Sequence, residues 1–159
     1  MNARELILKA KDIEEMEGER RIHFLNPNAD RQRKSLGDAV GLNNIGIHLI
    51  QVEPGKDTTE YHRHYHEEEC MYVLSGSGTL LVGDEKFHIG KGDFIGFPAG
   101  GPAHALSNTG QETLVCLVMG QRLEHDVADY PHQGKRLYRN SGKWDLVDLE
   151  HIETMTRGA

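Results

Sequence analysis

The chain predicts an all-β protein, a sandwich or barrel of short strands built as one domain. Three observations lead there. Apolar runs of four to eight residues recur between positions 45 and 119, each closed by turn chemistry. Eighteen glycines supply the tight turns and corners such a fold needs. The length, 159 residues, gives one sizeable core.

Taken in order, residues 4–17 read as one short helix, with Leu6, Ile7, Ala10 and Ile13 forming a thin stripe and Gly18 ending it. Residues 26–44 are polar and read as an extended arm or loop, so 1–40 is assigned as an N-terminal arm. The first strand is 45–52, closed by Glu53, Pro54 and Gly55. Further strands are expected at 58–65, 70–74, 79–82, 86–89, 94–97, 104–108 and 112–119. Gly83, Asp84 and Glu85 form a hairpin signal between two of them. Together 41–119 makes the barrel core. From residue 120 the chain turns polar and reads as an irregular tail packed on the barrel or on a partner subunit. Trp144, Leu146, Val147 and Leu149 are its expected apolar anchor, with Leu137 and Tyr138 as a second.

Composition narrows the function. A formal charge of −7 disfavours nucleic acid and anionic membranes as partners. The exception, Arg31-Gln32-Arg33-Lys34, reads as a solvated loop in preference to a phosphate contact. The first forty residues are too short and irregular for a helix-turn-helix unit. Two cysteines, Cys70 and Cys116, sit in apolar runs and read as reduced, buried thiols. Residues 1–20 are charged and lack an apolar signal core, and the longest apolar run, 114–119, is too short to span a bilayer. A cytoplasmic location is expected.

Histidines and acids cluster in two short stretches. His62 and His64 lie two apart, so on a strand they share a face. Glu69 opens the next apolar run and His104 a third. Three imidazoles and one carboxylate converging in a small barrel suit one divalent transition metal, Mn, Fe, Ni or Zn. His66 continues the alternation and competes for a ligand position, although it falls where the strand should turn. Glu67 and Glu68 read as a solvated acidic turn. Glu60 has the parity of His62 and is a candidate general base, or a rim residue. His48, in mid-strand, is a candidate acid/base group, or simply packed. Asn108 reads as securing a turn.

These stretches resemble the two motifs of the cupin superfamily. Gly55, six residues, His62-x-His64, four residues, Glu69, six residues and Gly76 match the first, with one residue more than usual before His62. Gly92, five residues, Pro98-x-Gly100, then His104, three residues and Asn108 match the second, again with one residue more than usual, before His104. The resemblance implies a jelly-roll barrel, or double-stranded β-helix, and carries His62, His64, Glu69 and His104 over as metal ligands. Residues 36–42 and Asp129-Tyr130-Pro131 also resemble a subgroup of small bacterial cupins, some provisionally described as sugar-phosphate isomerases. Three functions fit. One is metal-assisted isomerisation or epimerisation of a small polar, sugar-like or carboxylate molecule. The second is an Fe(II)-dependent dioxygenase, and the third a non-catalytic small-molecule-binding module. A barrel with open edges and long arms is expected to form a homodimer.

Overall fold

In a computed structural model that describes residues 2–156, the chain folds into thirteen strands with two short helices. In chain order the helices are α1 (Ala10–Glu15) and α2 (Leu36–Ala39). The strands are β1 (Glu19–His23), β2 (Asn26–Ser35), β3 (Ile45–Val52), β4 (Arg63–His64), β5 (Glu69–Ser75), β6 (Ser77–Val82) and β7 (Glu85–Gly90). They continue as β8 (Phe94–Phe97), β9 (His104–Ser107), β10 (Leu114–Gln121), β11 (His125–Tyr130), β12 (Lys135–Asn140) and β13 (Lys143–Asp148).

Two sheets make the barrel. One runs β1-β2-β3-β10-β5-β8 and the other β7-β6-β9. Period-two alternation sends one face of each strand inward. Ile50 and Val52 of β3, Met71 and Val73 of β5, Leu80, Ile89, Leu106, and Leu114 and Cys116 of β10 meet there as one buried core. Turn chemistry sets the corners. Gly76 adopts φ 77°, and a Cβ on it would lie 2.7 Å from the Thr113 carbonyl oxygen, so only glycine fits. Asn108 is fully buried and secures the turn after β9, donating to the carbonyls of Val52 and Glu112 and accepting from Gly110 N–H. Both cysteines are free thiols.

Four expectations need correction. The helix at 4–17 is two pieces, a 3-10 turn at Ala3–Leu6 and the six-residue α1, neither burying a residue. A helix that short with no buried face has little to propagate it. The supposed loop at 26–44 contains β2, a ten-residue strand that extends the large sheet beside β3. Its inward side chains include Arg31 and Arg33, which line a cavity, so the strand carries no apolar alternation.

The strand expected at 58–65 is mostly broken. It bridges β9 at Asp57–Ser107 and at His62–His104. Five residue steps separate the first pair of ends and three the second, so two residues bulge out between the bridges. Finally, the tail is not irregular. β11, β12 and β13 form an antiparallel meander that pairs with β4 as a four-stranded wing. Its anchor is Leu137, packed with Ala128, Tyr130 and Leu25, whereas Trp144 is 60% exposed. Asp126 and Asp129 occupy buried positions on β11 and hide the strand from a hydropathy reading.

Candidate metal centre

His62 and His104 face each other across the antiparallel bridge, with paired backbone hydrogen bonds of 3.1 and 2.8 Å. His64 follows two residues on, in β4, and Glu69 opens β5. The four side chains converge. The Nε2 atoms of His62, His64 and His104 lie 3.4, 3.7 and 3.8 Å from the same oxygen of Glu69. Gly120 sits opposite Glu69 in the sheet, and a Cβ there would come within 3.3 Å of the carboxylate, so glycine keeps that space open.

The far nitrogen of each ring is also spoken for. His62 Nδ1 lies 2.8 Å from the Glu60 carbonyl oxygen, and His64 Nδ1 lies 2.6 Å from Asp126 Oδ2. His104 Nδ1 faces the Pro102 carbonyl at 3.4 Å. Carbonyl and carboxylate oxygens only accept, so Nδ1 carries the proton in each ring. Nε2 then presents a lone pair toward Glu69, the tautomer a metal-binding histidine needs. Donors that share one ion at about 2.1 Å stand roughly 3 to 3.5 Å apart. The separations from Glu69 are close to that, and the ligand atoms of His62, Glu69 and His104 lie within 4.8 Å of one another with His64 beside Glu69, a donor set that suits a divalent transition metal.

Electrostatics agree. Burial would raise the Glu69 carboxyl, but the imidazoles of His104, His62 and His64 around it outweigh that and hold it well below the usual range. Burial pushes His104 down, only partly offset by Glu69. Burial also opposes charging His64, yet Asp126, Glu69 and Glu67 outweigh it and raise its pKa. Phe97 stacks on His104 at 3.5 Å between centroids, nearly parallel, and fixes that ring.

A second acidic cluster, His64 with Glu67 and Asp126, lies behind the first. Arg139 pairs with both carboxylates there. Asp126 further accepts from the backbone N–H groups of His66 and Glu67, and Glu67 from Leu123 N–H. These carboxylates are already engaged by Arg139 and by backbone N–H groups, so the cluster braces His64. Glu67 is therefore not a solvated turn residue: it is 4% exposed and ion-paired. His66 is exposed and joins the network only through its backbone. Glu68 is exposed.

The acid/base candidates separate. His48 lines a cavity of about 220 Å³ that also contains His62, Glu69 and His104. Burial and the nearby Arg33 and Arg122 push its pKa down to about 4. Glu60 is buried, is absent from the lining of that cavity, and touches the centre through the carbonyl that holds His62. Sequence reasoning missed Asp126 and Arg139, which lie in the polar tail and carry no local signal. The Arg31-to-Lys34 cluster, read from the sequence as a solvated loop with a phosphate contact as the alternative, instead sends Arg31 and Arg33 into this cavity. Arg63, by contrast, is tied to Asp129 and stacks over Tyr65. Among the described residues no helix is long and apolar enough to cross a membrane.

Known proteins supply the context for this geometry. Residues 48–120 match the family model described as a cupin domain. A crystal structure from Acidithiobacillus ferrooxidans, provisionally described as a sugar phosphate isomerase, superposes with a TM-score of 0.96. The two chains are 58% identical over 98% of this chain and 100% of that one. A cupin-superfamily protein from Silicibacter pomeroyi, described as a sugar phosphate isomerase, gives a TM-score of 0.78 at 26% identity, over 87% of this chain and 92% of that one. An uncharacterized protein of Methanocaldococcus jannaschii is 38% identical over 66 residues, 42% of this chain. The chain spans about half the length of that curated relative, 52%. The chain belongs to the cupin family.

Proposed function

We propose that this cupin is a metal-dependent isomerase of a small sugar phosphate, with His62, His64, Glu69 and His104 holding one divalent transition metal. The observation that carries the reading is the convergence of three imidazole Nε2 atoms on one carboxylate beside an open cavity. The two relatives whose descriptions name sugar phosphate isomerase give the substrate class its support. When bound, such an ion polarises a substrate carbonyl or hydroxyl and makes the neighbouring C–H more acidic.

The chain's own residues supply the rest. His48 faces the cavity with a buried Nδ1 that has no partner among the described residues, and it is the group assigned to accept and return the proton. The Glu60 carbonyl and the Asp126 carboxylate hold His62 and His64 in one tautomer. Phe97 covers His104 and keeps water from that side.

The test starts with metal analysis by mass spectrometry on untagged protein. Aldose and ketose phosphates are then incubated in D₂O, and deuterium entry next to the carbonyl is followed by NMR. The expected result is about one equivalent of metal and deuterium entry that stops on chelation and in His48→Ala. Absence of metal uptake on titration, or exchange that survives chelation, overturns the reading.

A further inference from the structure

Arg31 and Arg33 lie two apart on β2, so both side chains leave the same face of the strand. That face lines the cavity that holds the metal centre, together with His48, Thr58 and Thr59. Two guanidinium groups side by side in one cavity are an uncommon use of core space. Arg31 hydrogen-bonds the neutral Thr58 carbonyl and makes no ion pair among the described residues. Burial pushes its pKa down and the positive charge of Arg33 adds to that, with the Glu69 carboxylate opposing only in part. An arginine cannot shed its proton to relieve the cost, so the charge stays and waits for an anion.

Arg33 is only partly answered. Its Nη2 reaches Glu19 at the rim, 2.9 Å away, but its Nε is buried without a partner. Buried Nδ1 of His48 also lacks a partner. The other acids near β2 are engaged elsewhere, Asp30 with Arg20 and Glu69 with the histidines. The cavity therefore offers two fixed cations, with unmet donor capacity, opposite a site suited to a cation.

We propose that Arg31 and Arg33 form the anion seat of this cavity and hold the phosphate monoester of a ligand whose other end reaches His62, Glu69 and His104. The proposal deepens the isomerase reading and rests on it for the role of the far end. The seat itself stands on the arginine pair. Guanidinium groups grip tetrahedral phosphate oxygens through paired N–H donors, which lysine would not reproduce. Thr58 and Thr59, beside the pair, keep that end of the cavity polar.

The seat is tested on metal-free protein, so it is scored apart from metal content and turnover. Calorimetric titrations compare ribose 5-phosphate, ribose and ribonate against wild type, Arg31→Gln, Arg33→Gln and Arg33→Lys. Far-UV circular dichroism and metal uptake check each variant. The expected result is binding of ribose 5-phosphate and not ribose. Each glutamine variant should weaken it by about tenfold or more, with Arg33→Lys in between. Unchanged affinity in folded Arg31→Gln and Arg33→Gln, or wild-type protein that binds ribose 5-phosphate no better than ribose, overturns the seat. Tighter binding of ribonate overturns the phosphate assignment. Should Arg31→Gln fail to fold, the Arg33 pair decides the matter. Phosphate binding that persists in a protein unable to take up metal leaves the seat standing and removes the isomerase.

Discussion

The barrel core and the C-terminal wing flank the same candidate metal centre and are held together in opposite ways. The core is apolar: Val52, Val73, Leu114 and Cys116 are fully buried in one hydrophobic cluster. The wing is charged: Asp126 and Asp129 are buried and bind Arg136, Arg139, His64 and Tyr65. Burial of apolar area is strong and non-directional, so the core contributes stability. Charge-assisted hydrogen bonds are directional and costly to desolvate, so the wing contributes aim. His64 joins the two, pairing in the wing sheet and pointing Nε2 at Glu69 of the barrel. Stability and metal geometry should therefore respond to different residues.

The largest effect falls on the donors themselves. His62→Ala and His104→Ala should each lose most of the bound metal while keeping the β-sheet signal in circular dichroism. Wild-type metal content in both would sink the ligand assignment.

Next comes the core. Leu114→Ala removes a fully buried side chain from β10 that is not part of the cavity lining. It should cost about 3 kcal/mol in urea denaturation and leave metal stoichiometry unchanged. Loss of metal alongside the stability would blur the division between the two regions.

Asp126→Asn tests the wing. The amide keeps the size but no longer holds the His64 proton as a charged acceptor. Metal affinity should fall by about ten- to a hundredfold, read by competition with a chromogenic chelator. An unchanged affinity would mean the barrel alone orients His64.

The smallest effect is a pH dependence. Burial would raise the Asp129 carboxyl, but Arg136, Tyr65 and Arg63 outweigh it and hold it below 3.8, its ordinary value. A depressed folded-state pKa means the contribution is complete above that ordinary value and is lost as pH falls through the folded one. Stability should be insensitive to this group from neutral pH down to about pH 4, and decline below that. Asp129→Asn should cost about 1 to 2 kcal/mol at neutral pH and flatten the acid limb of the urea midpoint. An acid limb as steep as wild type would shift the origin of acid sensitivity to other carboxylates.

The same contrast explains how the chain could be read. Strands β3, β5, β6, β7, β8, β9 and β10 were legible because one face of each packs on the core and leaves apolar alternation. The strand β2 was illegible because its inner face holds arginines, and β11 because its buried positions include two aspartates. Both are strands with buried faces, but the buried side chains are polar, so hydropathy could not find them. The segment 58–65 misled for another reason: its apolar and polar parity suggested a strand, while a two-residue bulge against β9 breaks it.

Local chemistry sufficed for the motif histidines, Glu69, the turn role of Asn108 and the barrel class. Each depends on near-neighbour spacing, strand parity or a glycine that must take positive φ. Only the folded chain decided which groups brace the centre. Asp126 lies 62 residues from the His64 it holds, and Gly120 faces Glu69 across a strand pair. It alone also turned Arg31 and Arg33 inward, against the solvated loop their composition implied. Such partnerships are set by sheet order and register, which no local window of sequence contains.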